Sequence, residues 1–189
     1  MSGRLIFKIC LLGDGATGKT SLRTRFMGRG FNPNHNLTVG ADFAAVEKAI
    51  DYNGKQHSVT FQIWDLAGQQ RFQDVRSRFY LGTLGALCLF DITRSDSFQN
   101  VPSWINELWK HNGKGVVPLV LIGNKSDLRD GKSVSPSSAL SYCEQLTSNT
   151  LAHGFDVQYV ETSAKDGDNI DLAFETLGKK IMDKMSKKK

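Results

Sequence analysis

The 189-residue chain has few cysteines, and the three it has, Cys10, Cys88 and Cys143, are an odd number with no C-x-x-C spacing. A disulfide framework is therefore not expected. Cys10 and Cys88 fall in apolar strand-like runs, and all three read as small buried hydrophobes of a reducing compartment. No apolar h-region opens the chain and no apolar run is long enough to cross a bilayer, so a cytoplasmic protein is expected. Ser2 stands where myristoylation needs a glycine, and no cysteine lies near the C-terminus for prenylation. A basic stripe interleaved with aromatics is also missing, which argues against nucleic acid as a partner. The net charge of +5 is accounted for by residues 179–189, which hold six lysines and one aspartate. That tail is expected to be a solvated, frayed helix end, with weak attraction to an anionic membrane as its functional alternative. With no internal repeat and no low-complexity linker, residues 1–189 are expected to form one domain and a monomer, with a core over 4–182 and a basic tail over 183–189.

What is present is organised around Gly13-Asp-Gly-Ala-Thr-Gly-Lys-Thr20, which fits the phosphate-loop pattern GxxxxGK[ST]. The glycines at 13, 15 and 18 let backbone N–H groups approach phosphate oxygens without a Cβ in the way. Lys19 supplies charge to the β- and γ-phosphates, Thr20 is placed to ligate Mg²⁺, and a helix starting beside Gly18 points its positive end at the same anion. An apolar strand over 4–12 leads in and a helix over 19–27 leads out. Turn formers fill 29–39, and strands over 43–50 and 58–64 meet across the hairpin signal Asn53-Gly54.

A helix is expected over 69–80, with Phe72, Val75 and Phe79 on its apolar face. Buried strands over 84–90 and 116–122 flank a helix begun by Pro102, whose core face carries Ile105, Leu108 and one of Trp104 or Trp109. A helix from Ser135-Pro136 to Leu146, a strand over 157–160 and an amphipathic helix with Ile170, Phe174, Leu177 and Ile181 close the chain. Strands alternating with helices imply an α/β three-layer sandwich around a mostly parallel six-stranded sheet, with ligands at the C-terminal ends of the strands.

Polar motifs follow four of those strands. Asp65-Leu-Ala-Gly68-Gln69 offers a carboxylate for Mg²⁺ through water, a glycine whose N–H can approach the terminal phosphate, and an amide that can orient a water for in-line attack. Asn124-Lys-Ser-Asp127 suits a guanine base, whose N1–H and 2-amino group both donate to one carboxylate. Adenine presents an acceptor there, and each buried mismatch costs roughly 1–3 kcal/mol. Lys125 can lay its stem over the ring, and Ala164 is small enough for its N–H to reach the base carbonyl.

With these motifs in order, the chain resembles the Ras superfamily of small GTPases, the P-loop G domain, over almost its whole length. Val39-Gly-Ala-Asp-Phe43 and Phe61-Gln-Ile-Trp-Asp-Leu-Ala-Gly-Gln-Gln-Arg-Phe72 look most like the Rab branch, while Asp14-Gly15 and Asn100-Val-Pro-Ser-Trp104 are also similar to Ran. The resemblance implies that Gly13, Asp14, Gly15, Ala16, Thr17, Gly18, Lys19, Thr20 and Ser21 wrap the phosphates. It implies that Phe31 flanks the base, and that Asn124, Lys125, Asp127, Ser163, Ala164 and Lys165 hold it. Thr20, Thr38 and, through water, Asp65 would hold Mg²⁺, with Gly68 beside the γ-phosphate and Gln69, Lys19 and Thr38 serving catalysis.

The implied function is a GTP switch with slow hydrolysis of GTP to GDP in Rab-like trafficking, met by exchange factors, GTPase-activating proteins and effectors, and peripheral at a membrane. The alternatives are a guanine-nucleotide-dependent binding module without turnover, or a Ran-like transport GTPase. The chain departs from the pattern at His35, where members often place a tyrosine that closes over the γ-phosphate, and at Gln70, where a glutamate is usual. The missing C-terminal cysteine fits a truncated chain, a Ran-like one without lipid, or a lineage without prenylation. The spacing from Thr38 to Asp65 is long, which implies a longer hairpin, and that from Asp127 to Ser163 implies an added turn around 148–154. No arginine is obviously placed to act in cis, although Arg71 and Arg76 are near Gln69 in sequence.

Overall fold

The computed structural model describes residues 5–32, 38, 40–69 and 73–187. His35, Gln70, Arg71 and Phe72, with most of the polar loop before Gly40, lie outside the described residues. Six strands form one sheet: β1 (Leu5–Leu12), β2 (Ala41–Tyr52), β3 (Lys55–Leu66), β4 (Gly85–Asp91), β5 (Leu119–Asn124) and β6 (Gln158–Thr162), in the order β2-β3-β1-β4-β5-β6. Only the β2–β3 pair is antiparallel. The helices are α1 (Lys19–Phe26), α2 (Gln73–Tyr80), α3 (Ser95–Gln99), α4 (Val101–His111), α5 (Pro136–Thr150) and α6 (Ile170–Ser186).

Side chains alternate across a strand, so each central strand serves two half-cores. Cys10 and Leu12 of β1 and Cys88 and Phe90 of β4 face α4 and α5, where Ile105, Leu108, Cys143 and Leu146 meet them. Ile9, Leu11, Leu87 and Leu89 face α1 and α6 on the other side. There Phe26 stacks on Phe174, with centroids 3.7 Å apart and planes 3° apart, and meets Phe61 edge-on at 5.5 Å. The edge-on pair has the geometry that adds about 0.5–1.5 kcal/mol beyond burial. All three cysteines are buried thiols. Trp104, rather than Trp109, joins Ile105 and Leu108 in the core.

Several boundaries differ from expectation for identifiable reasons. The hairpin turn at Asn53 (φ 53°) and Gly54 (φ 71°) has the twist of a primed turn, and pairing runs from Tyr52–Lys55 to Ala41–Leu66, so β2 and β3 are 12 residues each. Strand β5 begins at Leu119 rather than 116 because Pro118 has no N–H for the ladder. The 69–80 helix starts at Gln73, and of its expected apolar face only Phe79 has a described side chain, half-buried against Trp64 at 5.3 Å. The added turn at 148–154 is the end of α5 followed by a 3-10 turn, Leu151–His153, closed by Gly154 at φ 89°. Helix α3 was not foreseen.

The lysine-rich end departs in part from a solvated, frayed helix end, since three of its lysines find partners although residues 185–187 are exposed. Lys180 is 5% exposed and reaches Asp156 at 2.6 Å, Lys184 donates to the Val116 carbonyl, and Lys187 donates to the Gly154 carbonyl at 2.9 Å. Helix α6 therefore runs through Ser186, past the expected start of the tail.

Candidate functional site

The loops after β1, β3, β5 and β6 converge on a cleft of about 380 Å³. It is lined by Gly15, Ala16, Gly18, Lys19, Thr20, Ser21, Phe31, Thr38, Gly68, Gln69, Asn124, Lys125, Asp127, Ala164 and Lys165, together with Leu128. All but Leu128 were legible as candidates. Gly13, Asp14, Thr17, Asp65 and Ser163 stand behind this lining and support it.

The loop between β1 and α1 takes its shape from two glycines with no room for a side chain. A Cβ on Gly13 (φ 128°) would lie 2.0 Å from the Leu89 carbonyl oxygen, and one on Gly18 (φ 93°) would lie 2.1 Å from Asn124 Nδ2. Lys19 is 6% exposed and donates to the Gly13 and Asp14 carbonyls at 2.7 and 2.8 Å. Burial pulls its ammonium down from 10.5 to about 8, against the opposing charges of Asp65 and Asp14. A buried ammonium whose partners among the described residues are carbonyls is poised for an anion.

Thr20 donates to Asp65 Oδ2 at 2.5 Å, and its oxygen is 3.1 Å from the Thr38 hydroxyl. Asp65 is fully buried, its carboxyl is pushed up by that burial, and its Oδ1 has no partner among the described residues. Two hydroxyls and a carboxylate with a spare oxygen are a hard-oxygen set that fits Mg²⁺. A Cβ on Gly68 would lie 2.4 Å from both the Asp14 carbonyl carbon and Gly15 N, so only glycine allows this close approach.

At the other end, Asn124 works as a clamp. Its Nδ2 donates to the Thr17 carbonyl at 2.8 Å, and its Oδ1 accepts from Thr162 at 3.0 Å and from Ala164 N at 3.3 Å. This modifies the expectation for Ala164, whose N–H a base carbonyl must share with Asn124. Lys125 sits at φ 68° and pairs with Asp91 at 2.7 Å. Despite burial, Lys125 and Thr93 hold the Asp91 carboxyl below its usual range. Asp127 Oδ1 accepts from Ser163 at 2.8 Å, and Oδ2 lies 3.9 Å from Lys165.

Asp14 does not turn its side chain to the cleft. Its two oxygens accept from Trp104 Nε1 at 2.7 Å and Asn100 Nδ2 at 2.8 Å, which sews the loop to α4. Other supports had no local signal in the sequence. Arg25 on α1 holds the carbonyls of Ala164 and Lys165 at 3.0 and 2.5 Å, and Arg94 donates to Gly15 O at 3.1 Å. Arg76, 2% exposed, is bound to Glu107 and to the carbonyls of Ala67 and Gln69.

Comparison with known proteins agrees with this geometry. The Ras family model matches residues 8–183. Ras-related protein RABA5a of Arabidopsis thaliana is 41% identical over 183 residues, which is 97% of this chain and 76% of that protein. Human Ras-related protein Rab-8B is 36% identical over 97% of this chain and 82% of its own length. Rab-2B of Dictyostelium discoideum is 38% identical over 95% of this chain and 82% of its own length. The chain belongs to the Ras family of small GTPases, which bind and hydrolyse guanine nucleotides with Mg²⁺, and within that family it is similar to the Rab branch.

Proposed function

We propose that this chain is a Rab-like switch that retains GDP or GTP with Mg²⁺, hydrolyses GTP slowly, and turns over faster when a partner donates an arginine. The observation that carries the reading is the cleft itself, with Lys19, Thr20, Thr38 and Gln69 at one end and Asp127 beside Ala164 at the other. Lys19 and the loop amides face the phosphates. Thr20 and Thr38, with Asp65 through water, would hold Mg²⁺, which neutralises phosphate charge when bound. Gln69 lines the same end and is suited to orienting the attacking water. Asp127 accepts from both donors of guanine, and Phe31 and the Lys125 stem cover the ring.

Loss of the γ-phosphate releases Thr38 and Gly68, and exchange factors, activating proteins and effectors read that difference. No helix among the described residues is long and apolar enough to cross a membrane, and trafficking work at a membrane would be peripheral.

Equilibrium binding of GDP and ADP tests the base assignment: strong preference for GDP is expected, and equal affinity would refute it. Single-turnover phosphate release by wild type and Gln69→Leu tests turnover. Slow release that Gln69→Leu abolishes is expected, whereas no release by wild type leaves a nucleotide-dependent binding module instead.

A further inference from the structure

The buried arginine on α2 has a role that its position in sequence does not announce. Arg76 is the largest fully buried side chain among the described residues. Its Nε and Nη2 grip the two oxygens of Glu107 on α4, each at 3.0 Å, and Tyr80 adds a third bond to the same carboxylate at 2.9 Å. The guanidinium also lies over the Trp104 ring at 4.3 Å. That fork is the planar, two-pronged pairing for which arginine is suited and lysine is not.

The remaining donor is the informative one. Arg76 Nη1 donates to the Ala67 carbonyl at 3.0 Å and to the Gln69 carbonyl at 2.6 Å. The backbone on either side of Gly68 is thereby fastened to α4. Helix α4 is in turn fastened to the phosphate loop, through Trp104 and Asn100 on Asp14. The loop and the Gln69 backbone are therefore referenced to the same helix, and Gly68 rests against Asp14 and Gly15 between them. A folding requirement alone explains the Glu107 pair, but it does not require the same guanidinium to bond the two carbonyls that bracket Gly68 beside the cleft.

We infer that Arg76 is a positioning residue for Gln69: by holding the carbonyls of Ala67 and Gln69 against α4, it sets the Gln69 side chain relative to the phosphate loop. This rests on the hydrolytic reading above. Small displacements of a water-orienting group are costly, and a shift near 1 Å costs about 100-fold in rate. Arg76→Lys keeps a cation beside Glu107 yet cannot span Glu107 and both carbonyls. Arg76→Met combined with Glu107→Met removes both charges, so no carboxylate is left stranded in the core.

The test uses the full chain with Mg²⁺ and follows single-turnover GTP hydrolysis, GDP dissociation, and amide hydrogen exchange of the peptide spanning 66–70 in the GDP complex. In both variants hydrolysis is expected to slow by about 10- to 100-fold while GDP dissociation stays within about two-fold, with faster exchange at Ala67–Gln69. Wild-type hydrolysis in Arg76→Lys, or a loss of hydrolysis matched by an equal loss of GDP retention, overturns the inference. If wild type itself does not hydrolyse GTP, the hydrolytic reading fails, and the exchange data still decide the positioning: unchanged exchange in both variants refutes it, and faster exchange upholds it.

Discussion

Lys19 gives the sharpest quantitative expectation, because the group that meets the phosphates is itself pushed toward neutrality. Its ammonium is lowered from 10.5 to about 8, chiefly by burial. At about 1.4 kcal/mol per tenfold change in acidity, keeping it charged there costs on the order of 3 kcal/mol. No screening discount applies to a side chain so thoroughly enclosed. A polyphosphate facing Lys19 favours the ammonium and raises its pKa, so binding takes up a proton wherever the free chain has lost one. Well below pH 8 Lys19 is already charged and its contribution to affinity is complete. As pH rises through 8, affinity falls by up to about tenfold per pH unit until the pKa of the complex is reached.

Calorimetry of GDP binding at pH 8.5, run in two buffers of different ionisation enthalpy, is expected to show uptake of roughly three-quarters of a proton. The uptake is expected to vanish at pH 6.5 and in Lys19→Met, which also binds GDP more weakly. An equal heat in both buffers at pH 8.5, or an affinity flat from pH 7.5 to 9.5, would refute the reasoning.

Three further outcomes follow from the packing. Gly68→Ala would place a Cβ 2.4 Å from backbone atoms of Asp14 and Gly15. Nucleotide binding is expected to survive while single-turnover hydrolysis drops by about 100-fold, and an unchanged rate would show that this approach is dispensable. Arg23 bonds Asp42 at 2.5 Å but leaves Nε and Nη1 buried without partners among the described residues, and the Asp42 side chain is 58% exposed. Arg23→Leu is therefore expected to change stability by no more than about 1 kcal/mol in urea unfolding, and a loss near the 3–5 kcal/mol of a broken buried pair would contradict this. Burial works against the charged Asp156, but Lys180 holds its carboxyl below the usual 3.8. That contribution is present above pH 3.8 and is lost as pH falls through the lower folded value. The difference between wild type and Lys180→Met is expected to be at most about 1 kcal/mol at pH 7, after discounting for the half-exposed carboxylate, and to close as pH falls through that lower folded value. A gap that widens in acid would reverse the sign.

The rim of the cleft was legible because each of its motifs is local: a glycine-rich turn, a carboxylate or an amide pair directly after an apolar run. The parallel strands were equally legible, since burial on both faces leaves a continuous apolar stretch such as that at Leu87–Phe90. Long-range pairs were not. Arg25 meets Ala164 and Arg76 meets Glu107 only because the sheet order brings those segments together, and no spacing in the chain encodes that. Lys180, Lys184 and Lys187, on α6 and at its end, misled for the same reason. Their number suggested solvent, whereas Asp156 and two carbonyls from other loops were waiting for them. Asp14 shows the converse, where motif membership suggested a ligand contact and the indole of Trp104 takes the carboxylate instead.

The β2–β3 hairpin carries one further consequence. Its root holds Asp65 and, through the Ala67 N–H on the Gly40 carbonyl at 2.8 Å, closes the sheet beside the cleft. Its far end is pinned to α6 by Tyr52 on Asp183 at 2.8 Å and Lys48 on Asp171 at 3.1 Å. Between those anchors the pairing is unbroken, so the hairpin behaves as a ruler graduated in residue pairs. Two residues added to each strand would lengthen it by about 7 Å and leave every face unchanged, whereas a slip of one residue would turn the Asp65 carboxylate to the opposite side of the sheet. The separation between the carboxylate at the cleft and the C-terminal helix is thus a count of paired residues.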